Sequence, residues 1–334
     1  MDFRRIEAYL SAKVEGFQGP IEAAKTPSGQ SNPTYVLTTP SGKYVLRSKP
    51  AGKLLKSAHA VDREFRVLKA LHAQGLPVPK PFVLCDDPSV SETMFYLMAF
   101  SEGENFGDPR LPGSTPEARR EIYDQMNKGL VAVHSVDLKT AGLQDYGPPG
   151  SYFARQLSRW SKQYVASATE VIPAMDALII WLGDNQPPED GTVTLVHGDW
   201  RIDNLLFDKE TNALTAILDW ELSTLGHPLA DLGAQLMQWQ MPVGGEGRGL
   251  AGVDRAALGI PSDEAYVADY AARMGMPMPD MRFYVGFSYF KMAAILQGVK
   301  RRALDGNASN PQKALALGAY VGLFAEAGLE CAQT

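Results

Sequence analysis

The sequence has little cysteine and histidine and no excess of positive charge. It contains 2 cysteines and 5 histidines in 334 residues, which provide neither a disulfide framework nor the clustered ligands of a zinc site. Lys and Arg number 32 against 38 Asp and Glu, a net charge of −6. This balance argues against a general binder of nucleic acid or of anionic membranes.

Long apolar runs are also missing. No stretch longer than residues 314–325 is both free of charge and mostly apolar, and about 20 such residues are needed to cross a bilayer as a helix. Residues 1–7 lack the uninterrupted apolar core of a signal peptide. We therefore expect a cytoplasmic protein that binds neither membrane nor nucleic acid. The sequence leaves its oligomeric state open.

The chain is long enough for two subdomains or one two-lobed domain. In residues 1–100, two apolar segments around Pro40-Ser41-Gly42 predict a hairpin. A helical pattern from Val61 to Leu71, with Ser57 as a possible cap, precedes further strands near residues 83–84 and 94–98. This part is predicted to be a small α+β lobe.

Residues 101–334 have a different pattern, dominated by helical periodicity. Two short strands, at 193–196 and 214–218, flank the densest group of polar residues. The predicted fold class is therefore α+β, with a small lobe containing an antiparallel sheet and a larger, mostly helical lobe. Helices are predicted near residues 116–133, 153–164, 175–182, 262–274, 280–304 and 310–329.

The polar residues between the two short strands predict a metal-dependent chemistry. Residues 191–240 contain seven acidic side chains and two basic ones. Clustered carboxylates repel one another unless a cation or a shared proton compensates. Mg²⁺ suits such a group, since it takes a few carboxylate or amide oxygens and leaves other positions to water and phosphate.

The spacing His197-Gly198-Asp199, then Asn204, then Asp219-Trp220-Glu221 resembles the aminoglycoside phosphotransferase family, which has a bilobal protein-kinase-like fold. The continuation from Leu225 to Gly233 resembles still more the kinase-like domain fused to some acyl-CoA dehydrogenases. This resemblance implies ATP and Mg²⁺ as cofactors. It also implies transfer of the γ-phosphoryl group to a hydroxyl of a small molecule.

The resemblance implies roles for three residues of the motif. Asp199 would be the catalytic residue that accepts or orients the proton of the substrate hydroxyl. Asn204 and Asp219 would hold Mg²⁺ on the nucleotide phosphates. His197 and Asp231 are interpreted as structural residues that brace the loop.

Residues 1–100 would then bind the nucleotide. Ser31 and Asn32 belong to a loop whose N–H groups could face phosphates. The kinase pattern has a lysine where this chain has Arg47, and Arg47 can still hold phosphate as a bidentate fork. Glu64 would be its helix partner, and Met98 lies where an interlobe hinge would contact the adenine. Two lysines on the same strand face are rival candidates for the phosphate-binding cation: Lys43 and Lys49.

Several alternatives stay open at this stage. The acceptor is expected to be a hydroxy acid or its acyl thioester rather than an aminoglycoside. Because Arg47 replaces the lysine of the kinase pattern, one alternative is a nucleotide-binding, pseudokinase-like regulatory module without turnover. A second alternative is a phosphohydrolase that uses the same carboxylates on water. The basic run 300–302, with Lys291 upstream, could meet an anionic substrate tail, although a solvated helix end is the preferred interpretation.

Overall fold

A computed structural model of the chain describes residues 1–26, 32–50, 52, 60–148, 150–244, 248–308 and 310–333. The chain divides into two compact units. The first comprises Met1–Phe106, Asp124–Gln144 and Ile202–Ser223, and the second comprises Gly107–Tyr123, Asp145–Arg201 and Thr224–Thr334. The division of function between residues 1–100 and 101–334 stays a prediction.

The first unit is built on a five-stranded antiparallel sheet with the strand order β1-β2-β3-β5-β4, and on a short hairpin of β7 and β8. Helix α3 (Pro116–His134) is divided between the two units. The other elements of the first unit are α1 (Phe3–Lys13), β1 (Glu22–Lys25), β2 (Thr34–Thr39), β3 (Gly42–Ser48), α2 (Val61–Ala73), β4 (Pro81–Cys85), β5 (Phe95–Ala99), β7 (Leu205–Phe207) and β8 (Leu214–Ile217).

Alternation of side chains along β3 gives the sheet two different faces. Tyr44 and Leu46 are buried on one face in a core that includes Ile6 and Leu10 of α1. The neighbouring residue Arg47 therefore projects from the opposite face. Helix α2 contacts β4 and β5 of the sheet, and this arrangement brings a buried guanidinium beside the first turn of α2.

The second unit is mostly helical and also contains the antiparallel pair of β6 and β9. Its elements, besides part of α3, are α4 (Tyr152–Ser167), α5 (Pro173–Asp184), β6 (Thr194–Val196), β9 (Thr224–Gly226), α6 (Leu229–Trp239), α7 (Arg255–Leu258), α8 (Asp263–Met274), α9 (Arg282–Leu304), α10 (Pro311–Gly318) and α11 (Val321–Gln333).

Helix α9 is the central element of the second unit. It packs against α4, α5, α6, α10 and α11, and its residues from Phe283 to Phe290 are buried on every side. A helix that is apolar all round belongs in a core. Its approach to α6 is close at Gly233, where an added Cβ would lie 2.6 Å from the carbonyl oxygen of Tyr284.

The predicted α+β fold class is confirmed, with the antiparallel sheet in the first unit and a mostly helical second unit. The hairpin and the helices predicted up to residue 304 are present. The segment 310–329 forms two helices, α10 and α11, instead of one, and α1 and β1 were not predicted. The proposed cap Ser57 lies outside the described residues; the observed cap position of α2 is Ala60.

One apolar segment of the second unit passes a length-and-composition test for a membrane span. This segment, Pro311–Gln333, comprises α10 and α11, and only part of it is buried. Helix α11 packs on α5 and α9. Core helices of proteins that never enter a membrane pass the same test, so the finding is weak evidence for a span. The expectation that the chain binds no membrane stays a prediction.

The close approach of α6 and α9 leads to a stability prediction. Gly233→Ala should destabilise the protein by about 1–3 kcal/mol, because the new methyl group meets backbone that cannot move aside cheaply. In Gly322→Ala the same change occurs within α11, where nothing lies within 4 Å of the new Cβ. That control should keep or gain stability, by up to about 1 kcal/mol. Urea unfolding measures the free energy of unfolding of both variants. Equal losses of stability in the two variants would contradict the packing argument.

Candidate functional site

In the first unit, Arg47 contacts three carboxylates at once. Its Nη1 lies 3.0 Å from Oε1 of Glu64 on α2. Its Nη2 lies 2.8 Å from Oδ1 of Asp219 and 2.9 Å from Oε2 of Glu221, both in the turn after β8. The Glu64 side chain is 2% exposed and that of Asp219 is 34% exposed. The cluster thus runs from a buried glutamate to a solvent-accessible aspartate.

The charges in this cluster do not balance. Burial alone would lower the pKa of Arg47, but the carboxylates around it outweigh burial and raise that pKa, so the guanidinium stays charged. Burial raises the pKa of Glu64 from 4.5 to about 7; Arg47 opposes this shift, while Asp219 and Glu221 add to it. One cation facing three acids therefore leaves a negative site that can accept a further cation or a proton.

The backbone at Asp219 has a left-handed conformation. Asp219 has φ 63° and ψ 64°, in the left-handed region that only glycine, asparagine and aspartate visit readily. The preceding residue, Leu218, donates its N–H to the carbonyl oxygen of Asn204 at 2.8 Å. This bond holds Asn204, in a short helical turn before β7, next to the turn that contains Asp219. The two predicted metal ligands are thereby joined through the backbone.

The other nucleotide-site residues predicted from sequence differ in their placement. Ser31 lies outside the described residues. Asn32 is buried, and its Nδ2 donates to Oε2 of Glu221 at 3.0 Å, so its side chain is part of the Arg47 cluster. Met98 is buried in β5 opposite Val45. Its role in adenine binding stays a prediction.

Three cations lie on β3 or just after it: Lys43, Arg47 and Lys49. Arg47 is paired with Glu64. Lys43 lies over the ring of Phe100, 5.6 Å from its centroid. Lys49 lies 3.3 Å from Asp62 on the exposed side of α2. The geometry therefore favours Arg47 as the phosphate-binding cation.

In the second unit, Asp231 holds the loop that follows β6. Its two carboxylate oxygens accept the backbone N–H groups of His197 at 2.7 Å and of Gly198 at 2.8 Å. Gly198 has φ 85°, which lets the chain turn sharply here. His197 is fully buried, and its Nδ1 accepts the N–H of Asp199 at 3.3 Å. The interpretation of His197 and Asp231 as bracing residues is confirmed.

Asp199 stands at the end of this braced loop with its side chain 31% exposed. Nε of Arg201 lies 3.1 Å from its Oδ1. A carboxylate fixed by a rigid loop and left open to solvent can accept a proton from a bound hydroxyl. Asp199 belongs to the second unit, whereas Asn204 and Asp219 belong to the first.

Sequence reasoning missed Glu221 and Arg201 as members of these clusters. Both lie within the motif, two residues after Asp219 and Asp199 respectively, so alternation about a key aspartate was an available signal. Glu221 links Asn32 to Arg47. Arg201 pairs with the predicted catalytic residue.

The donors in the first unit fit a divalent cation of the magnesium type. Among the described residues, no group of three or more His, Cys, Asp or Glu side chains forms a metal-holding cluster. Asn204 and Asp219 offer one amide and one carboxylate, and Mg²⁺ needs few protein ligands when phosphates and water complete its shell. The excess negative charge of the Arg47 cluster supports the same assignment.

The charge imbalance around Glu64 leads to a pH prediction. Between pH 4.5 and the raised value of about 7, the folded protein holds a proton on Glu64 that the unfolded chain has lost. The wild type should therefore lose stability relative to Glu64→Gln as pH rises, by about 1.4 kcal/mol per unit. Urea unfolding at pH values from about 5 to 8 measures the difference. A difference that stays nearly constant over this pH range would show that Arg47 keeps Glu64 ionised in the folded protein.

Comparison with known proteins identifies the family. The model of the phosphotransferase enzyme family matches residues 22–284. The chain is 47% identical over 308 residues to mouse acyl-CoA dehydrogenase family member 10, covering 91% of this chain and 29% of that protein. It is 41% identical over 339 residues to human acyl-CoA dehydrogenase family member 11, covering 98% and 43%. The chain thus spans less than half the length of these relatives.

Solved structures support the same family assignment. A candidate aminoglycoside phosphotransferase from Ralstonia eutropha is 46% identical, with a TM-score of 0.90 over 99% of this chain and 98% of that one. Two more distant structures share the fold: spectinomycin phosphotransferase in complex with ADP and spectinomycin (15% identity, TM-score 0.63, 98% of each chain), and choline kinase from Cryptosporidium parvum (13%, 0.67, 99% and 96%). The chain belongs to the phosphotransferase enzyme family and has its kinase-like fold.

Proposed function

We propose that the chain is an ATP-dependent small-molecule kinase that transfers the γ-phosphoryl group to a substrate hydroxyl. The contact of Arg47 with both Glu64 and Asp219 carries this proposal. Kinase folds need a strand cation paired with a helix glutamate, together with a metal-binding aspartate, for phosphoryl transfer. This chain has the same three charges, with arginine as the cation. The ADP bound to spectinomycin phosphotransferase supports a nucleotide as the ligand.

Each part of the first cluster has a role in this reaction. Arg47 would hold nucleotide phosphates with the N–H donors that its carboxylate contacts leave over, and Glu64 orients it. Asn204 and Asp219 would hold Mg²⁺, which when bound neutralises charge on the phosphates. The contact with Arg47 holds the Asp219 carboxylate in place before any ligand arrives, which lowers the ordering cost of binding.

The braced loop of the second unit would act on the acceptor. Asp199 accepts the proton as the substrate O–H bond breaks, the hydroxyl oxygen bonds to the γ-phosphorus, and the bond from that phosphorus to the β,γ-bridging oxygen breaks to release ADP. Arg201 orients the Asp199 carboxylate.

The acceptor we propose is a hydroxy acid or its acyl thioester, in preference to an aminoglycoside. The support is the high identity to proteins named acyl-CoA dehydrogenase family members. We propose the cytoplasm as its compartment and a small molecule, rather than nucleic acid or membrane, as its partner.

A regulatory module without turnover is the second candidate, because Arg47 replaces the lysine of the kinase pattern. It shares nucleotide binding with the first candidate but forms no phosphorylated product. Assays with Mg·ATP and the acceptors named above therefore separate the two. ADP formed together with a phosphorylated acceptor supports the kinase, whereas phosphate released without acceptor would instead indicate a phosphohydrolase.

Asp199→Asn tests the proton acceptor. The amide cannot take the hydroxyl proton, so kcat should fall by roughly 10²- to 10⁴-fold. The Kd for Mg·ATP, measured by calorimetry, should stay within about twofold, because Asp199 is assigned to the acceptor. Glu210→Gln is the control, since it removes one negative charge from an exposed turn. Full activity of Asp199→Asn would contradict the assignment of Asp199 as the proton acceptor.

Asp219→Asn tests the metal ligand. Asparagine tolerates the left-handed backbone, so this variant isolates the loss of charge better than alanine would. Loss of a charged contact of about 1.5–3 kcal/mol should weaken Mg·ATP binding roughly 10- to 150-fold. Binding of ATP in the presence of a chelator should change far less. Equal Mg·ATP affinity in variant and wild type would place the metal elsewhere.

A further inference from the structure

Three buried polar atoms of the first unit have no hydrogen-bond partner, and all three lie in the Arg47 cluster or beside it. They are Nε of Arg47, Oε2 of Glu64 and the hydroxyl oxygen of Tyr96. Among the described residues of this unit, no other fully buried side-chain nitrogen or oxygen lacks a partner. Buried polar atoms are nearly always hydrogen-bonded, and exceptions call for an explanation. Their concentration at one place indicates a functional role rather than a packing defect.

Tyr96 lies on the same face of the sheet as Arg47. The two residues are directly opposite each other on the neighbouring strands β5 and β3. Phe95 and Leu97 on β5, like Leu46 on β3, belong to the core on the other face, so alternation directs Tyr96 to the face where Arg47 projects. Opposite residues of an antiparallel pair have Cβ atoms about 5 Å apart. The Tyr96 ring therefore stands beside the Arg47 side chain.

Helix α2 covers the ring of Tyr96 and brings Glu64 to it. The ring of Phe65, the residue after Glu64, contacts the Tyr96 ring with centroids 6.0 Å apart, and Tyr96 is fully buried. Burial raises the pKa of the Tyr96 hydroxyl well above its usual value, and the negative charge of Glu64 adds to this shift. The hydroxyl therefore stays protonated at physiological pH. It is a permanent donor near a carboxylate oxygen that has no hydrogen bond.

Arg47 alone does not supply enough donors to Glu64. Its Nη1 contacts Oε1 of Glu64, while its Nη2 contacts Asp219 and Glu221. An ionised carboxylate has about four acceptor positions, so this single contact leaves most of them unfilled. Nucleotide phosphates would compete for the same guanidinium, which would weaken its hold on Glu64. A second donor to Glu64 would keep the ion pair aligned at that point.

We propose that Tyr96 is a positioning residue of the nucleotide site, whose hydroxyl donates to Oε2 of Glu64 when Arg47 turns its remaining donors to phosphate. In this role Tyr96 acts through Glu64 and touches neither the nucleotide nor the acceptor. The inference rests on the proposed function, because it takes Arg47 as the cation that holds phosphate. It requires nucleotide binding alone, so it applies equally to the kinase and to the regulatory module.

Tyr96→Phe tests this role because it removes only the hydroxyl. That hydroxyl has no partner in the protein without nucleotide, so its loss should not lower the free energy of unfolding measured in urea. The Kd for Mg·ATP, measured by calorimetry, should rise about tenfold, as expected for one hydrogen bond to a charged group. Weaker binding without loss of stability distinguishes a positioning role from a structural one.

Tyr44→Phe is the matched control. Tyr44 is buried on the other face of the same sheet, and its hydroxyl oxygen lies 3.1 Å from Oγ of Ser41. Removing this partnered hydroxyl should lower the free energy of unfolding. The Kd for Mg·ATP should stay within about twofold, because Tyr44 lies on the face away from Arg47. The same chemical change at the two tyrosines should therefore affect different properties.

A double variant tests whether Tyr96 acts through Glu64. Glu64→Gln removes the charge and weakens the acceptor, so Tyr96→Phe should cost far less affinity for Mg·ATP in that background. Losses of affinity that add fully would show that the hydroxyl acts on another group, and would overturn the inference.

Mg·ATP binding keeps this inference separate from the proposed function. If the wild type and Tyr96→Phe bind Mg·ATP equally well, the inference falls and the nucleotide site stands. Weaker binding accompanied by an equal loss of stability would also overturn it, since lost packing would explain both. If the wild type forms no phosphorylated product, yet Tyr96→Phe weakens Mg·ATP binding, the kinase fails and the inference stands. No binding of Mg·ATP by the wild type contradicts both.

Discussion

The contact of one guanidinium with three carboxylates is the interaction on which the first unit depends. Arg47 joins a strand, a helix and a turn through Glu64, Asp219 and Glu221. Removing Arg47 would leave three carboxylates facing one another without a cation, with Glu64 buried, which is costly. The strand alternation that turns Arg47 toward α2, and the left-handed backbone at Asp219, follow as requirements of this single contact.

The charges around the functional carboxylates differ between the two units. The Arg47 cluster has more acids than bases, so it repels a nucleotide triphosphate that arrives without a divalent cation and accepts one that arrives with it. Asp199 of the second unit, by contrast, is paired with Arg201. The net charge of the chain hides this difference, and its acidity alone would have suggested cationic substrates. The local balance of acidic and basic side chains, rather than the net charge of the chain, decides which ligand each cluster suits.

The sequence predicts what depends on local order and misses what depends on long-range packing. The hairpin of β2 and β3 and the helix containing Glu64 follow from nearby signals such as turn residues and periodicity. The bonds from Arg47 to Asp219 and Glu221 span 172 and 174 residues, and only the family resemblance suggested that these parts belong together. The packing of α9 is not predictable in this way, because periodicity in a helix that is apolar all round does not show which neighbouring element each side contacts.

The arginine at position 47 explains how a departure from the kinase pattern preserves its geometry. A lysine ammonium is a single point charge on a flexible stem, whereas a guanidinium has two terminal nitrogens held in one plane. Here Nη1 contacts Glu64, while Nη2 contacts Asp219 and Glu221. The fork therefore divides its donors between the helix and the turn, which one ammonium cannot do with the same rigidity. The ion pair between the strand cation and the helix glutamate is therefore kept, although arginine replaces the lysine of the kinase pattern. The third carboxylate, Glu221, accommodates the larger cation by contacting its Nη2.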